Sequence, residues 1–262
     1  MDDIYQVYVN RVARMTLPEA YQSQVQYIQA SPKFQQQPDG DVEPIPFPGY
    51  SVITPPWSDD SKNTGLYETL RDFQHRVGKE LTPGLATLVP PESFHMTLAD
   101  LIWDSGYRLA AEQTDFDHQL RDRIAQSFQH CQTSVKGEPP ICWQVLGLIV
   151  MARAIAVCLA PRNEQSHDRI VKLRRSIYQN PDIIALGIEQ QYHFTGHITL
   201  GYFTDVSVVS DPLDLISTLN QLNEQWLSID SPQELVIHRA ELRKFEDMTH
   251  YYREPDWPVL EF

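Results

Sequence analysis

Phe94-His95-Met96-Thr97-Leu98 and Gly196-His197-Ile198-Thr199-Leu200 repeat one pattern, His-x-Thr-Leu inside an apolar stretch, about a hundred residues apart. Successive side chains of a β-strand point to opposite faces, so His95 and Thr97 share one face while Met96 and Leu98 take the other; His197 and Thr199 repeat the arrangement against Ile198 and Leu200. With nine histidines in the chain, about one His-x-Ser/Thr is expected by chance. The weight therefore lies in the longer match, with its apolar residues in the same phase. Two matched imidazoles point to an acid and a base.

The surrounding sequence alternates between strand and helix signals. Tyr50 to Thr54 reads as a strand, Leu66 to Lys79 as a helix, and Ala86 to Trp103 as extended chain carrying the first motif, followed by a helix over residues 115–132. A second round has strands at Ile141–Val150 and Ala154–Leu159, a helix from about His167 to Tyr178, and the second motif on Phe194 to Phe203. Asp211-Pro212 opens a helix to about Leu227, and extended segments follow near Glu234–Lys244 and Met248–Tyr252. Each half thus reads as strand, helix and motif strand. The expectation is an α/β (α+β) fold with two similar β-α-β lobes, antiparallel-rich sheets and a central cleft that brings His95 to His197. Residues 4–30 are Gln-rich with apolar residues at helical spacing, and Pro32 to Pro48 is punctuated by prolines around a Pro38-Asp39-Gly40 turn signal. Residues 1–44 are accordingly read as a helical, proline-punctuated extension, and residues 45–262 as the bilobal domain.

Composition narrows the partners. A formal charge of −14 over 262 residues opposes a broad docking surface for duplex nucleic acid, which needs clustered Lys and Arg, but leaves room for a small phosphate ligand in a local pocket. Cys131, Cys142 and Cys158 form no paired framework and have no zinc or redox spacing, which fits a reducing cytoplasm. Met1-Asp2-Asp3-Ile4 lacks the basic and apolar regions of a secretory signal. The apolar run Val145–Ala160 is shorter than a membrane span and carries Arg153, so it reads as two buried strands joined near Met151-Ala152-Arg153, with no membrane partner expected.

Histidine accepts or donates a proton near neutral pH, so two in one cleft can divide these roles. Phosphodiester cleavage fits the division, with one imidazole deprotonating the attacking water or ribose hydroxyl and the other protonating the departing oxygen. The hydroxyls of Thr97 and Thr199 are placed to bind non-bridging phosphate oxygens. The paired His-x-Thr-Leu resembles the two-histidine phosphoesterase superfamily, which includes the RNA 2',5'-ligase-like proteins and cyclic nucleotide phosphodiesterases. The resemblance spans roughly residues 45–255, and Phe47-Pro48-Gly49, Pro91–Leu98 and Phe194–Tyr202 look most like a bacterial branch of it. It implies a bilobal fold with a central cleft, metal-independent action on 2',3'-cyclic phosphates or related phosphodiesters, catalysis by His95 and His197, and phosphate binding by Thr97 and Thr199. Some RNA-processing branches continue the second motif with a basic residue where this chain has Gly201-Tyr202, so a cationic anchor is not visible there.

Other features are set beside this reading. Arg153, Arg239, Arg243 and Lys244 lie on predicted strands or strand ends and are candidates for positive charge in the cleft. His193 stands four residues before His197, but its strand-like surroundings and the lack of an adjacent Asp or Glu argue against a metal pair. His75, His118, His130 and His167 fall on predicted polar helix faces. Trp57 and Tyr202 are candidate stacking faces for a base, whereas Phe94 and Trp143 read as core. The absence of a Gly-rich phosphate loop, a Gly-x-Ser-x-Gly elbow or a reactive cysteine context disfavours ATP-driven ligation and serine or cysteine hydrolase chemistry. The sequence thus predicts a cyclic phosphodiesterase without cofactor or metal, acting on a nucleotide or short RNA end. The alternatives are a non-catalytic nucleotide sensor using the same cleft, and a scaffold that binds partners through residues 1–44.

Overall fold

The computed structural model describes residues 2–38, 40–137, 139–231 and 233–262; Met1 and Asp39, the middle of the predicted turn, lie outside the described residues. In chain order the elements are α1 (Tyr5–Met15), α2 (Pro18–Gln24), β1 (Phe34–Gln36), β2 (Val42–Pro44), β3 (Gly49–Ile53), α3 (Thr64–Glu80), β4 (Ala86–Leu88), β5 (Thr97–Trp103), α4 (Asp104–Ala110) and α5 (Phe116–Val135). They continue with β6 (Ile141–Val150), β7 (Ala154–Pro161), α6 (Glu164–Tyr178), α7 (Pro181–Ile184), β8 (His197–Phe203), α8 (Pro212–Leu227), β9 (Glu234–Ile237), β10 (Arg239–Phe245), β11 (Tyr251–Tyr252) and β12 (Val259–Glu261).

The apolar run Val145–Ala160 folds as the hairpin β6-β7 that its length and central Arg153 predict, and every residue of β7 is buried. This hairpin is the middle of one five-stranded sheet, ordered β4-β8-β7-β6-β9. A second five-stranded sheet runs β11-β10-β3-β5, with β12 also paired to β10. The strand pairings in both sheets are antiparallel. The expected repeat is present: β10-β3-β5 in one sheet matches β6-β7-β8 in the other, and each series ends on a motif strand. Among the described residues no helix is long and apolar enough to cross a membrane.

Helix boundaries follow local chemistry. Pro212 at the first position of α8 and the Asp211 carboxylate, which accepts from the Leu213 N–H, start that helix where the sequence predicts. Helix α6 begins three residues before the predicted His167, because the Asn163 side chain accepts from the Ser166 N–H and caps the earlier turn. His167 is correspondingly not on an open polar face: it is buried, with its ring 5.9 Å from that of Tyr5 and 5.4 Å from that of Tyr8.

The cover over His167 comes from the N-terminal segment. Helix α1 packs on β7, and α2 packs on α8 and β6, so that Tyr8, Val12, Tyr21 and Val25 belong to the main core. The Tyr8 hydroxyl donates to the Leu159 carbonyl at 2.9 Å and accepts from the Gly196 N–H at 2.8 Å, the residue just before His197. Tyr8→Phe strands both buried backbone groups. It is expected to lower unfolding stability by about 1–3 kcal/mol, read as a reduced midpoint at unchanged slope in urea; an unchanged midpoint contradicts this role for α1.

Candidate active site

Each motif enters its strand by the same local device. His95 Nδ1–H donates to the carbonyl of Ser93 at 2.6 Å, and His197 Nδ1–H donates to that of Thr195 at 2.7 Å, in both cases two residues back. A carbonyl only accepts, so the proton sits on Nδ1 in the neutral form and Nε2 is left to act on a ligand. The flanking backbone is pinned by hydroxyls. Thr54 Oγ1 accepts from the Met96 N–H at 2.9 Å while its own N–H donates to the Met96 carbonyl, and Tyr8 does the corresponding work at Gly196.

A β-bulge follows each threonine. Ile53 pairs with Thr97 but Val52 with Ala99, leaving Leu98 as the extra residue; Ala156 pairs with Thr199 but Ile155 with Gly201, leaving Leu200 extra. The bulge exchanges the faces of the strand beyond it, so Asp100 and Tyr202, three residues after each threonine, turn into the cleft beside it. Each bulge carbonyl is held by a buried side chain from a helix. Gln74 of α3 donates from Nε2 to the Leu200 carbonyl at 2.8 Å and also to Val89 O at 2.8 Å, and Arg174 of α6 donates from Nη1 to the Leu98 carbonyl. The helix following β3 thus braces β8, and the helix following β7 braces β5. The lobes are locked by exchange.

Both motifs open on one cleft of about 760 Å³, whose lining includes His95, Thr97, Asp100, His197, Thr199, Tyr202 and Tyr251. Its two imidazoles differ in surroundings. The His95 ring lies 4.3 Å from the Tyr251 ring, and burial, aided by the charges of His197 and Arg243, pushes its pKa down to about 4 against the pull of the Ser93 carbonyl. His95 is therefore neutral at pH 7. Asp100, exposed on the cleft wall, has its pKa raised by desolvation there and pulled back down by the nearby charges of His197, Lys33 and Arg174.

Thr97, Thr199 and Tyr202 line the cleft, with the Tyr202 ring 5.3 Å from that of Phe34 and Lys33 Nζ 5.2 Å from its centre. Trp57 does not: it is absent from the cleft lining, its ring stacked 6.0 Å from Tyr67 with the Arg71 guanidinium 5.7 Å over it. Phe94 and Trp143 are core residues, and His193 is an exposed residue at the cleft edge, 3.8 Å from Asp3. Among the described residues no group of three or more His, Cys, Asp or Glu side chains is placed to hold a metal ion. Of the four candidate cations, only Arg153 lines the cleft. Arg239 pairs with Glu241 at 2.7 Å, Arg243 with Glu241 and Asp59, and Lys244 with Asp117 at 3.0 Å.

Sequence reasoning missed Asp100, because strict alternation puts it on the face opposite Thr97, and it missed the N-terminal contribution. Arg11 of α1 donates to Thr195 Oγ1 at 2.8 Å and to the Phe194 carbonyl, holding the loop that carries the His197 acceptor. Asp2 pairs with Arg174 at 2.8 Å, behind the first motif. The helical spacing of Tyr8 and Val12 was visible; what α1 would cover was not.

No protein-family model and no curated protein matches this chain by sequence. A crystal structure of a conserved protein of unknown function from Agrobacterium tumefaciens superposes with a TM-score of 0.57 at 14% identity, covering 86% of this chain and 90% of that one. The two proteins share a fold. Looser likenesses include Escherichia coli LigT complexed with 3'-AMP (TM-score 0.40, 13% identity, 82% of this chain and 95% of that chain) and Kluyveromyces marxianus Usb1 (0.41, 11%, 83% and 99%). At that overlap they bear on neither the site nor its chemistry.

The His95 imidazole is expected to show the Nδ1–H tautomer in long-range proton–nitrogen NMR spectra at pH 7. The His95 signals should begin to move only as the pH approaches about 4. Titration of His95 near 6.5 contradicts the burial argument.

Proposed function

We propose that this protein is a metal-independent phosphodiesterase that opens a 2',3'-cyclic phosphate on a nucleotide or a short RNA end. The observation that carries the reading is the pair of identically braced imidazoles, each presenting Nε2 to one cleft with a threonine one strand repeat away. His95, held neutral, is the general base: its Nε2 takes a proton from water as the water oxygen attacks phosphorus. His197, beside Asp100, is the general acid: as the imidazolium it gives its Nε2 proton to the departing ribose oxygen and keeps the Nδ1 proton on the Thr195 carbonyl. Thr97 and Thr199 donate hydrogen bonds to the non-bridging oxygens, where negative charge grows in the transition state.

The test is turnover of 2',3'-cyclic nucleotides in EDTA, with phosphorus NMR reporting which ester breaks. His95→Ala and His197→Ala are each expected to lower kcat/KM by about 10²- to 10⁴-fold while unfolding as the parent does. Full activity in either variant overturns the pairing, and nucleotide binding with no product in the parent favours the sensor. The roles also fix the acid limb of the pH profile. Protonating His95 removes the base, so kcat/KM of the parent falls as pH drops through about 4; a limb centred near 6.5 contradicts the assignment of His95 as base.

A further inference from the structure

The sequence lacks a basic residue after the second motif, yet the folded chain brings two cations to that position from elsewhere. Lys33, just before β1, places its Nζ 5.2 Å from the centre of the Tyr202 ring and 4.8 Å from that of Phe47. Arg153 comes from the β6-β7 turn. Both are docked against the end of β8, since the Ser31 N–H donates to the Phe203 carbonyl at 2.7 Å and the Phe203 N–H donates to the Arg153 carbonyl at 3.1 Å. Both side chains line the cleft.

Neither charge is in ion-pair contact with a carboxylate among the described residues, although Asp100 lies within electrostatic reach of Lys33. Among those residues the one side-chain hydrogen bond of Arg153 runs to Gln29 Oε1 at 3.4 Å. Arg174, also in the cleft lining, is by contrast neutralised by Asp2. In a chain of net charge −14, holding two cations together at one cleft end without an ion pair to either is a cost that a bound anion removes. Burial lowers the pKa of Lys33; Asp100 in the same cleft pulls it back up, and Arg153 adds a smaller lowering that places the two cations within electrostatic reach of each other.

We propose that Lys33 and Arg153 form a second-anion subsite, seating a phosphate of the substrate other than the one under attack. The inference rests on the phosphodiesterase reading for the first phosphate. Thr97 and Thr199 already stand beside the imidazoles, whereas the backbone of Ser31 and Arg153 docks at Phe203, the opposite end of β8 from His197. The cleft, at about 760 Å³, has room for both groups. The substrate class is then a nucleotide carrying two phosphates, either a terminal 5'-phosphate or the internucleotide phosphodiester of an oligonucleotide end.

Stable product-like ligands test this without requiring turnover. Calorimetry compares adenosine 3'-phosphate, adenosine 3',5'-bisphosphate and the dinucleotide ApA bearing a terminal 3'-phosphate, on the parent, Lys33→Gln and Arg153→Gln. The parent is expected to bind at least one two-phosphate ligand about tenfold tighter than the monophosphate, as a charge-assisted contact provides, and the tighter of the two identifies the source of the second anion. Each variant should lose most of that preference, weakening the two-phosphate ligand about tenfold more than the monophosphate. No preference in the parent, no binding of any of the three, or equal loss on all ligands overturns the subsite. A preference that Lys33→Gln removes, in a protein that turns over no cyclic phosphate, keeps the subsite and sinks the phosphodiesterase reading instead.

Discussion

Each catalytic candidate depends on one hydrogen bond, the donation from imidazole Nδ1–H to the backbone carbonyl two residues earlier. It fixes the tautomer, orients the ring and leaves Nε2 facing the cleft. Much of the fold serves to hold those two acceptor carbonyls still. Thr54 and Tyr8 pin the backbone beside each histidine, Arg11 grips the Thr195 loop, and Gln74 and Arg174 hold the bulge carbonyls that turn the strands after each threonine. Close contact adds to this: a Cβ on Gly196 would lie 3.0 Å from Trp143 and 3.1 Å from the Met96 sulfur, so the second motif begins with a residue that lets the first one pack against it.

Two copies of one device need not have equal chemistry. His95 is desolvated against Tyr251 and within reach of the charges of His197 and, more weakly, Arg243, and all of these disfavour its imidazolium. His197 instead lies beside Asp100. The bulge creates the difference, because the equivalent positions beyond the two leucines carry a carboxyl in one motif and a phenol in the other. A symmetric scaffold thereby yields an asymmetric pair, which is what proton transfer in a single direction requires.

The repeat of strand, helix and motif strand was legible because apolar periodicity is a local property. The β6-β7 hairpin, α3, α5, α6 and α8 all fall close to where spacing and caps place them. Strict alternation also placed His95 with Thr97 and His197 with Thr199. It failed one residue further on, since a bulge at Leu98 or Leu200 has no mark in the apolar pattern and moves Asp100 to the other face. Long-range docking was equally silent. The Gln-rich start and the prolines around Lys33 suggest an extension, but Tyr8 and Arg11 brace the second motif, and Lys33 lines the cleft, only because α1 packs on β7 and Ser31 docks on the end of β8, both distant in sequence. Trp57 erred for the same reason: beside a loop it looked free, yet Tyr67 and Arg71 of α3 enclose it.

The central claim is that both imidazoles act on one phosphorus atom. A crystal structure of the protein with vanadate and a nucleoside tests it directly, because pentavalent vanadium adopts the geometry of phosphoryl transfer. The account predicts vanadium between His95 Nε2 and His197 Nε2, with its apical oxygens bonded to those two nitrogens and its equatorial oxygens to Thr97 and Thr199. Vanadate held by one histidine alone, or bound outside the cleft, contradicts it.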